Sequence, residues 1–145
     1  MTVRQVLINR LGALPVIRAY LERLQLKERC VDARAPVREV AQLTTGEVVT
    51  ALVANRLTAP RPLDDSVDWA EAWAVGEPFG IRPAELNDDR LGRCLDDVAA
   101  VHDALRGALT VQAMSAFGLE TKALRWDLTA VLVMGADPEE EQAAA

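Results

Sequence analysis

Asp127 is the residue whose type and position most clearly suit a catalytic or metal-binding role, because it is a carboxylate inside the apolar run RWDLTAVLVM of residues 125–134. The alternation of this run predicts a β-strand with Arg125 and Asp127 on the same face. Both faces are largely apolar, which is typical of a strand buried in a larger sheet. Since an unpaired buried charge is unfavourable, Asp127 either pairs with Arg125 or contributes to a metal site.

Composition excludes several other kinds of active site. His102 is the only histidine, so His-based triads and multi-histidine metal sites are ruled out, and we expect it at the surface beside Asp103. Cys30 and Cys94 lack metal-ligand spacing and are expected to be free thiols. The eight glycines form no phosphate-loop motif. Adjacent aspartates on a helix point about 100° apart, so the acidic pairs indicate helix caps and solvated surface rather than metal ligands.

The bulk composition indicates a soluble, cytoplasmic protein. Half of the 145 residues are apolar and 26% are charged, as in globular domains. No apolar run reaches the roughly 18–20 residues that would span a bilayer, and no secretory signal is evident. The net charge is −6, but residues 1–61 hold 10 Lys/Arg against 5 Asp/Glu, which allows a basic N-terminal face.

Apolar periodicity and capping residues predict about five helices. The first spans about Leu14 to Lys27, with Val16, Ile17, Tyr20, Leu21 and Leu24 on its apolar stripe. The second begins at Thr44 or Thr45, where Glu47 completes a capping box, and stops at Pro60. Its predicted apolar face comprises Val48, Val49, Leu52, Val53 and Leu57.

The remaining helices lie in the C-terminal half. One begins at residues 64–66 and carries Trp69 and Trp73 one turn apart, a spacing typical of core residues. Asn87 caps the next, a long stretch that forms one or two helices because Gly92 and Gly107 weaken it, with Gly118 at its C-cap.

The predicted fold class is therefore mainly α, a helical domain of about five helices followed by one orphan β-strand. We divide the chain into a helical domain over 1–120, the strand over 121–134 and a disordered acidic tail over 135–145. A single strand cannot satisfy its own backbone hydrogen bonds, so this inventory implies missing partners for it.

Five segments resemble, in the correct order, one family of proteins. They are LGALPVIRAYLERL (11–24), LTTGEVVTALVANRLTAPRPL (43–63), WAEAWAV (69–75), LNDDRLGRCLD (86–96) and LRWDLTAV (124–131). The resemblance is to the N-terminal region of bacterial insertion-sequence transposases related to the IS4 superfamily, which use a DDE catalytic core. It covers most of residues 11–131.

The resemblance implies a helical domain followed by an RNase H-like core, with Asp127 as the first acid of the DDE set. In such a core three carboxylates hold two divalent ions that activate the attacking oxygen and stabilise the leaving one. The second Asp and the Glu have no counterpart here, so we expect a truncated core that cannot catalyse transposition alone. Mg²⁺ or Mn²⁺ is expected only for a full-length relative, and no cofactor or metal site for this chain.

The resemblance also implies DNA binding by the helical domain. Arg56 and Arg61, near the end of the second helix, are one pair of candidate phosphate ligands, and Arg90 and Arg93 are the other. Either pair could instead make ion pairs within its own helix, and Arg93 is spaced to do so with Asp97.

Two functions of different kinds follow from these features. The first is a transposase-derived domain that binds duplex DNA, including the ends of the element, without catalysis. The second is a protein-interaction or dimerisation module that uses the orphan strand and the helical surface. Neither involves a membrane or a small-molecule substrate.

Overall fold

The computed structural model describes residues 9–36 and 41–119, and these residues are mainly helical, as predicted. They form α1 (Leu14–Arg23), a π-helix (Leu26–Asp32), α2 (Thr45–Thr58), α3 (Ser66–Ala72), α4 (Gly76–Phe79), a 3-10 turn (Pro83–Glu85), α5 (Asp88–Ala100) and α6 (His102–Phe117). No β-strand occurs within these two ranges. The predicted strand over 121–134 and the acidic tail over 135–145 lie outside them.

The first predicted helix is confirmed at its start, Leu14, and wrong at its end. α1 ends at Arg23, and Gln25 adopts a left-handed conformation with φ of 48°. That residue interrupts the α-helical hydrogen bonding, and the chain continues as a π-helix from Leu26. The π-helix ends at Asp32, five residues beyond the predicted end of the first helix at about Lys27.

The apolar stripe predicted for α1 is only partly buried. Leu14 and Ile17 lie in the core, whereas the side chains of Val16 and Tyr20 are 59% and 56% exposed. α1 therefore packs by a narrower face than its apolar content indicates.

The N-terminus of α2 is confirmed as a capping box. The Glu47 backbone N–H donates to Thr44 Oγ1 at 3.1 Å, and the Thr44 N–H donates to Glu47 Oε2 at 2.8 Å. The prediction that Leu57 belongs to the buried face is wrong, because its side chain is 64% exposed. Val48, Ala51 and Ala54 are buried, but each step of three residues rotates this stripe by about 60°, so Leu57, one step further, lies about 180° around α2 from Val48.

α3 is shorter than its sequence pattern predicts because Trp73 is extended. The Arg10 N–H donates to the Ala72 carbonyl at 3.0 Å, and the Ala74 N–H donates to the Arg10 carbonyl at 2.8 Å. These bonds form an isolated parallel bridge between Arg10 and Trp73. Trp69 is buried, whereas Trp73 is half-buried against the core, so the tryptophan pair is core, as expected.

The long C-terminal helix is two helices. Asn87 caps α5 as predicted, since its Oδ1 accepts the Arg90 N–H at 3.0 Å. The break falls at Val101, not at Gly92 or Gly107. Gly118, with φ of 62°, is the predicted C-cap of α6.

The core consists of two clusters. The larger one joins α1, α2, α3 and α5, and its fully buried side chains include Leu14, Ile81, Leu86 and Leu91. The smaller one joins the π-helix to Leu105 of α6. Leu21, Val49 and Val98 pack against both clusters and so connect them. Among the described residues, no helix has the length and apolarity to cross a bilayer.

Candidate nucleic-acid interface

Arg90 and Arg93, one turn apart on α5, line a cleft between α5 and the N-terminal end of α2. The cleft has a volume of about 470 Å³. Its other lining residues are Ala41, Leu43, Thr44, Thr45, Val48, Cys94 and Asp97. It therefore combines two guanidinium groups with apolar walls and one carboxylate.

The α2 side of the cleft is fixed by the π-helix. The Asp32 carboxylate accepts hydrogen bonds from the Gly46 N–H at 2.7 Å and from Thr44 Oγ1 at 2.9 Å. The Asp32 and Glu47 carboxylates therefore already accept hydrogen bonds from the backbone N–H groups of Gly46 and Thr44 at the start of α2. From α5, Cys94 Sγ donates to the Thr45 carbonyl at 3.7 Å, which joins the two walls. Any anion in the cleft would thus be held by the arginines rather than by the helix terminus.

The two cleft arginines differ in burial, and neither forms a salt bridge with a carboxylate in the described part of the chain. Arg90 is partly buried, and its Nη1 lies away from solvent without a hydrogen-bond partner among the described residues. Arg93 is exposed. The expected ion pair between Arg93 and Asp97 is not among the salt bridges formed within the described ranges. Asp97 is buried and has an interaction of its own.

The second candidate pair, Arg56 and Arg61, is already engaged. Both side chains are exposed near the C-terminus of α2. Arg56 Nη1 donates to the Arg61 carbonyl at 2.9 Å, and Arg61 Nη1 lies 3.8 Å from the Asp65 carboxylate. Asn55 Oδ1 accepts the Arg61 N–H at 3.3 Å and holds this turn against α2. To bind phosphate, these two arginines would first have to break the contacts that they make within the chain.

The electrostatics of the cleft keep its thiol neutral. Burial raises the pKa of Cys94 to about 11, and the charges of Asp97 and Asp32 add to the rise. At the 3-10 turn that precedes α5, the Arg82 side chain holds the pKa of Glu85 below its usual range through direct hydrogen bonds, with a smaller contribution from the charge of Arg90. Arg82 Nη2 lies 2.6 Å from Glu85 Oε1, so this guanidinium already has a carboxylate partner.

The remaining sequence candidates do not form a catalytic cluster in the described part of the chain. His102 is exposed at the start of α6, with Nδ1 3.3 Å from the Asp103 carboxylate. Cys30 and Cys94 are free and buried, as expected. No group of three His, Cys, Asp or Glu side chains within 9–36 and 41–119 is arranged to hold a metal ion. Asp127 lies outside those ranges.

Sequence reasoning missed the cleft and the role of Asp32. The cleft exists because α5 packs across the N-terminal end of α2, and no local pattern records which helices become neighbours. The only available signal was the unbroken helical stretch between Asn87 and the end of α5, which placed Arg90 and Arg93 one turn apart.

Comparison with known proteins identifies a family but no characterised relative. Residues 6–105 match the family described as a domain of unknown function, DUF4277. This match covers more than half of the chain and includes both arginine pairs. No curated protein and no solved structure matches the chain.

Proposed function

The chain belongs to the family of domains of unknown function DUF4277, and from that premise we propose that it is a transposase-type N-terminal domain that binds duplex DNA and does not catalyse transposition by itself. The transposase assignment is supported by the five sequence segments that resemble the insertion-sequence transposases in the correct order. Four of those segments lie within the matched residues 6–105. A cytoplasmic location belongs to the same proposal, since bacterial DNA is found there.

The observation that carries DNA binding is the state of the α5 arginines. Arg90 and Arg93 share one cleft, and neither guanidinium is paired with a carboxylate among the described residues. Other arginines are paired, as Arg18 is with Glu22 at 2.6 Å. Guanidinium groups without carboxylate partners are the natural ligands of phosphate oxygens, which they contact through parallel charge-assisted hydrogen bonds.

Phosphate contacts of this kind give affinity rather than sequence specificity. Each neutralised phosphate releases condensed counterions, so binding weakens linearly with the logarithm of salt concentration. Asp88, Asp89 and Asp96 on the same helix oppose an anionic partner and keep the contribution of the arginines modest. Recognition of element ends would require additional contacts to base edges.

The test is fluorescence anisotropy with a labelled duplex of about 20 base pairs over roughly 50–200 mM salt. The full chain should bind with a negative slope of the logarithm of the association constant against the logarithm of salt. The double variant Arg90→Ala/Arg93→Ala should weaken binding and reduce the magnitude of that slope by about two, one for each lost phosphate contact.

Two controls make the outcome interpretable. Arg18→Ala removes one positive charge that is paired with Glu22, so it should leave the slope unchanged. Arg56→Ala/Arg61→Ala removes as much charge as the α5 double variant, and an equal loss of slope there would move the interface to α2. Absence of binding at about 50 mM salt by a chain with helical circular dichroism would reject the proposal.

A second function, a protein-interaction or dimerisation module, is favoured by one surface of α1. Val16 and Tyr20 are exposed one turn apart, and the Tyr20 ring stacks on Phe117 with the centroids 6.0 Å apart. Exposed apolar side chains of this kind often mark a protein-protein contact. A dimeric mass in light scattering, with no affinity for DNA, would favour this function over the first.

A further inference from the structure

We propose that the apolar run of residues 125–134 packs against its own helical domain, on an exposed patch formed by Val16, Tyr20, Phe117 and Leu119. The run itself lies outside the described ranges. The patch, the point at which the chain leaves it and the residue pattern of the run together point to this contact. It goes beyond the proposed DNA contact, which lies on α5, and it names one occupant for a surface that also favours a protein-interaction module.

The patch is the apolar surface where the end of α6 meets α1. Val16, Tyr20 and Leu119 are each more than half exposed, and Phe117 is half-buried against the Tyr20 ring, with the ring centroids 6.0 Å apart. Val16 precedes Tyr20 by one turn, so the two side chains lie on the same side of α1. Contiguous exposed apolar side chains of this kind mark a surface that another segment or molecule covers.

Arg23 fixes the end of α6 beside this patch. Its guanidinium donates to the Ala116 carbonyl from Nε at 3.1 Å and from Nη2 at 2.8 Å, and it lies 4.6 Å from the centre of the Phe117 ring. The chain then turns at Gly118, with φ of 62°, and the Leu119 N–H donates back to the last turn of α6. The chain therefore leaves the described residues at the edge of the patch.

The link between the patch and the run is long enough to allow the contact and short enough to favour it. Residues 120–124 separate Leu119 from the run, and five extended residues cover roughly 17 Å at about 3.3 Å each. Val16 and Tyr20 are only about 6 Å apart along the axis of α1. A short tether holds its segment at an effective concentration of the order of millimolar, so the run needs far less affinity than a separate partner would.

The pattern of the run decides which of its faces would pack. Alternate positions place one entirely apolar set of side chains on the same face, namely Trp126, Leu128, Ala130 and Leu132. Packing by this face removes apolar surface from water, while Asp127 on the other face stays solvated, so no carboxylate is buried without a partner. The backbone edges of the run also stay open to water, so this contact requires no additional strand.

Limited proteolysis of the full chain by trypsin tests the contact, with mass spectrometry to follow cleavage after Arg125. Cleavage within a docked segment depends on the fraction of molecules in which the segment has opened. Val16→Asp places a charge in the patch, and an acidic residue in the first turn of α1 suits the helix N-terminus, so the variant should fold. We expect cleavage after Arg125 to become about tenfold faster, because the charge weakens the contact.

Matched variants separate the contact from other causes of faster cleavage. Val111→Asp adds the same charge at an exposed position of α6 that lies about 120° around the helix from Phe117, and it should leave the rate unchanged. Within the run, Leu132→Asp should accelerate cleavage as Val16→Asp does, whereas Val133→Asp, on the other face, should not. Val16→Asp combined with Leu132→Asp should add little to either alone, because each removes the same contact. Circular dichroism checks the fold of every variant.

Two results would overturn the contact. Equally fast cleavage after Arg125 in the unmodified chain and in Val16→Asp would show that the patch does not hold the run. Protection that rises with protein concentration would assign the patch to a second copy of the chain, because an intramolecular contact does not depend on concentration. Faster cleavage of Val16→Asp with unchanged affinity for duplex DNA would support the contact and leave the proposed function to its own test.

Discussion

At the scale of single residues, the environment of each guanidinium separates the four candidate arginines. All four have the same chemistry in the sequence, and all four lie near the end of a helix or within its first turns. In the fold, Arg56 and Arg61 have acceptors from the chain itself, while Arg90 and Arg93 lack a carboxylate partner among the described residues. The contacts that each guanidinium already makes, rather than the residue type, therefore decide which arginine pair is suited to bind phosphate.

The Cys94 thiol should be unreactive in the folded protein. Its pKa of about 11 means that only about one thiol in a thousand is ionised at pH 8, and the side chain is buried. Alkylation by iodoacetamide at pH 8 should therefore be slow for the native chain and rapid in denaturant. Mass spectrometry of digested protein reads the site of modification, and rapid labelling of native Cys94 would show that the cleft is more open than described.

At the scale of elements, the junction between the π-helix and α2 depends on a glycine. The capping box of α2 was predictable, because Thr44 and Glu47 have the required spacing. The hydrogen bond from the Gly46 N–H to the Asp32 carboxylate was not predictable, because the two residues are 14 positions apart and belong to different helices. The contact exists only once the π-helix has packed against α2.

Gly46→Ala should destabilise the fold. A Cβ at this position would lie 2.7 Å from Asp32 Oδ1 and 2.8 Å from Lys27 Cγ. Neither neighbour can move without loss of packing or of the Asp32 hydrogen bond, so we expect a loss of about 1–3 kcal/mol in the free energy of unfolding. Urea denaturation measures this change.

Gly92→Ala is the matched control for that substitution. A Cβ at this position of α5 meets nothing within 4 Å, and the residue is helical. Alanine should therefore raise the free energy of unfolding by about 0.4–1 kcal/mol. If the two variants changed stability equally, the close approach at Gly46 would not matter to the fold.

At the scale of the whole molecule, we expect the two core clusters to unfold as one cooperative unit. Leu21, Val49 and Val98 contact both clusters, so neither can lose its packing without affecting the other. Among the described tryptophans, Trp69 and Trp73 both belong to the larger cluster and none to the smaller. The chain has a third tryptophan, Trp126, so the measurement uses a Trp126→Phe background. Fluorescence then reports unfolding of the larger cluster, while circular dichroism reports all the helices.

Leu105→Ala tests this coupling from the smaller cluster. Truncation of this buried leucine should cost about 2–5 kcal/mol. In thermal unfolding, the midpoints from tryptophan fluorescence and from far-ultraviolet circular dichroism should fall together. A fall in the circular dichroism midpoint with unchanged fluorescence would mean that the clusters unfold separately.

The sequence by itself determined the helical class, the capping box at Thr44, the Asn87 cap and the Gly118 terminus, because these depend on residues within one or two turns of each other. Only the tertiary structure decided the end of α1 at Arg23, the exposure of Leu57 and Tyr20, and the cleft that unites Arg90 with the start of α2. Those features depend on which helix faces cover one another, and packing between distant segments leaves no local pattern in the chain.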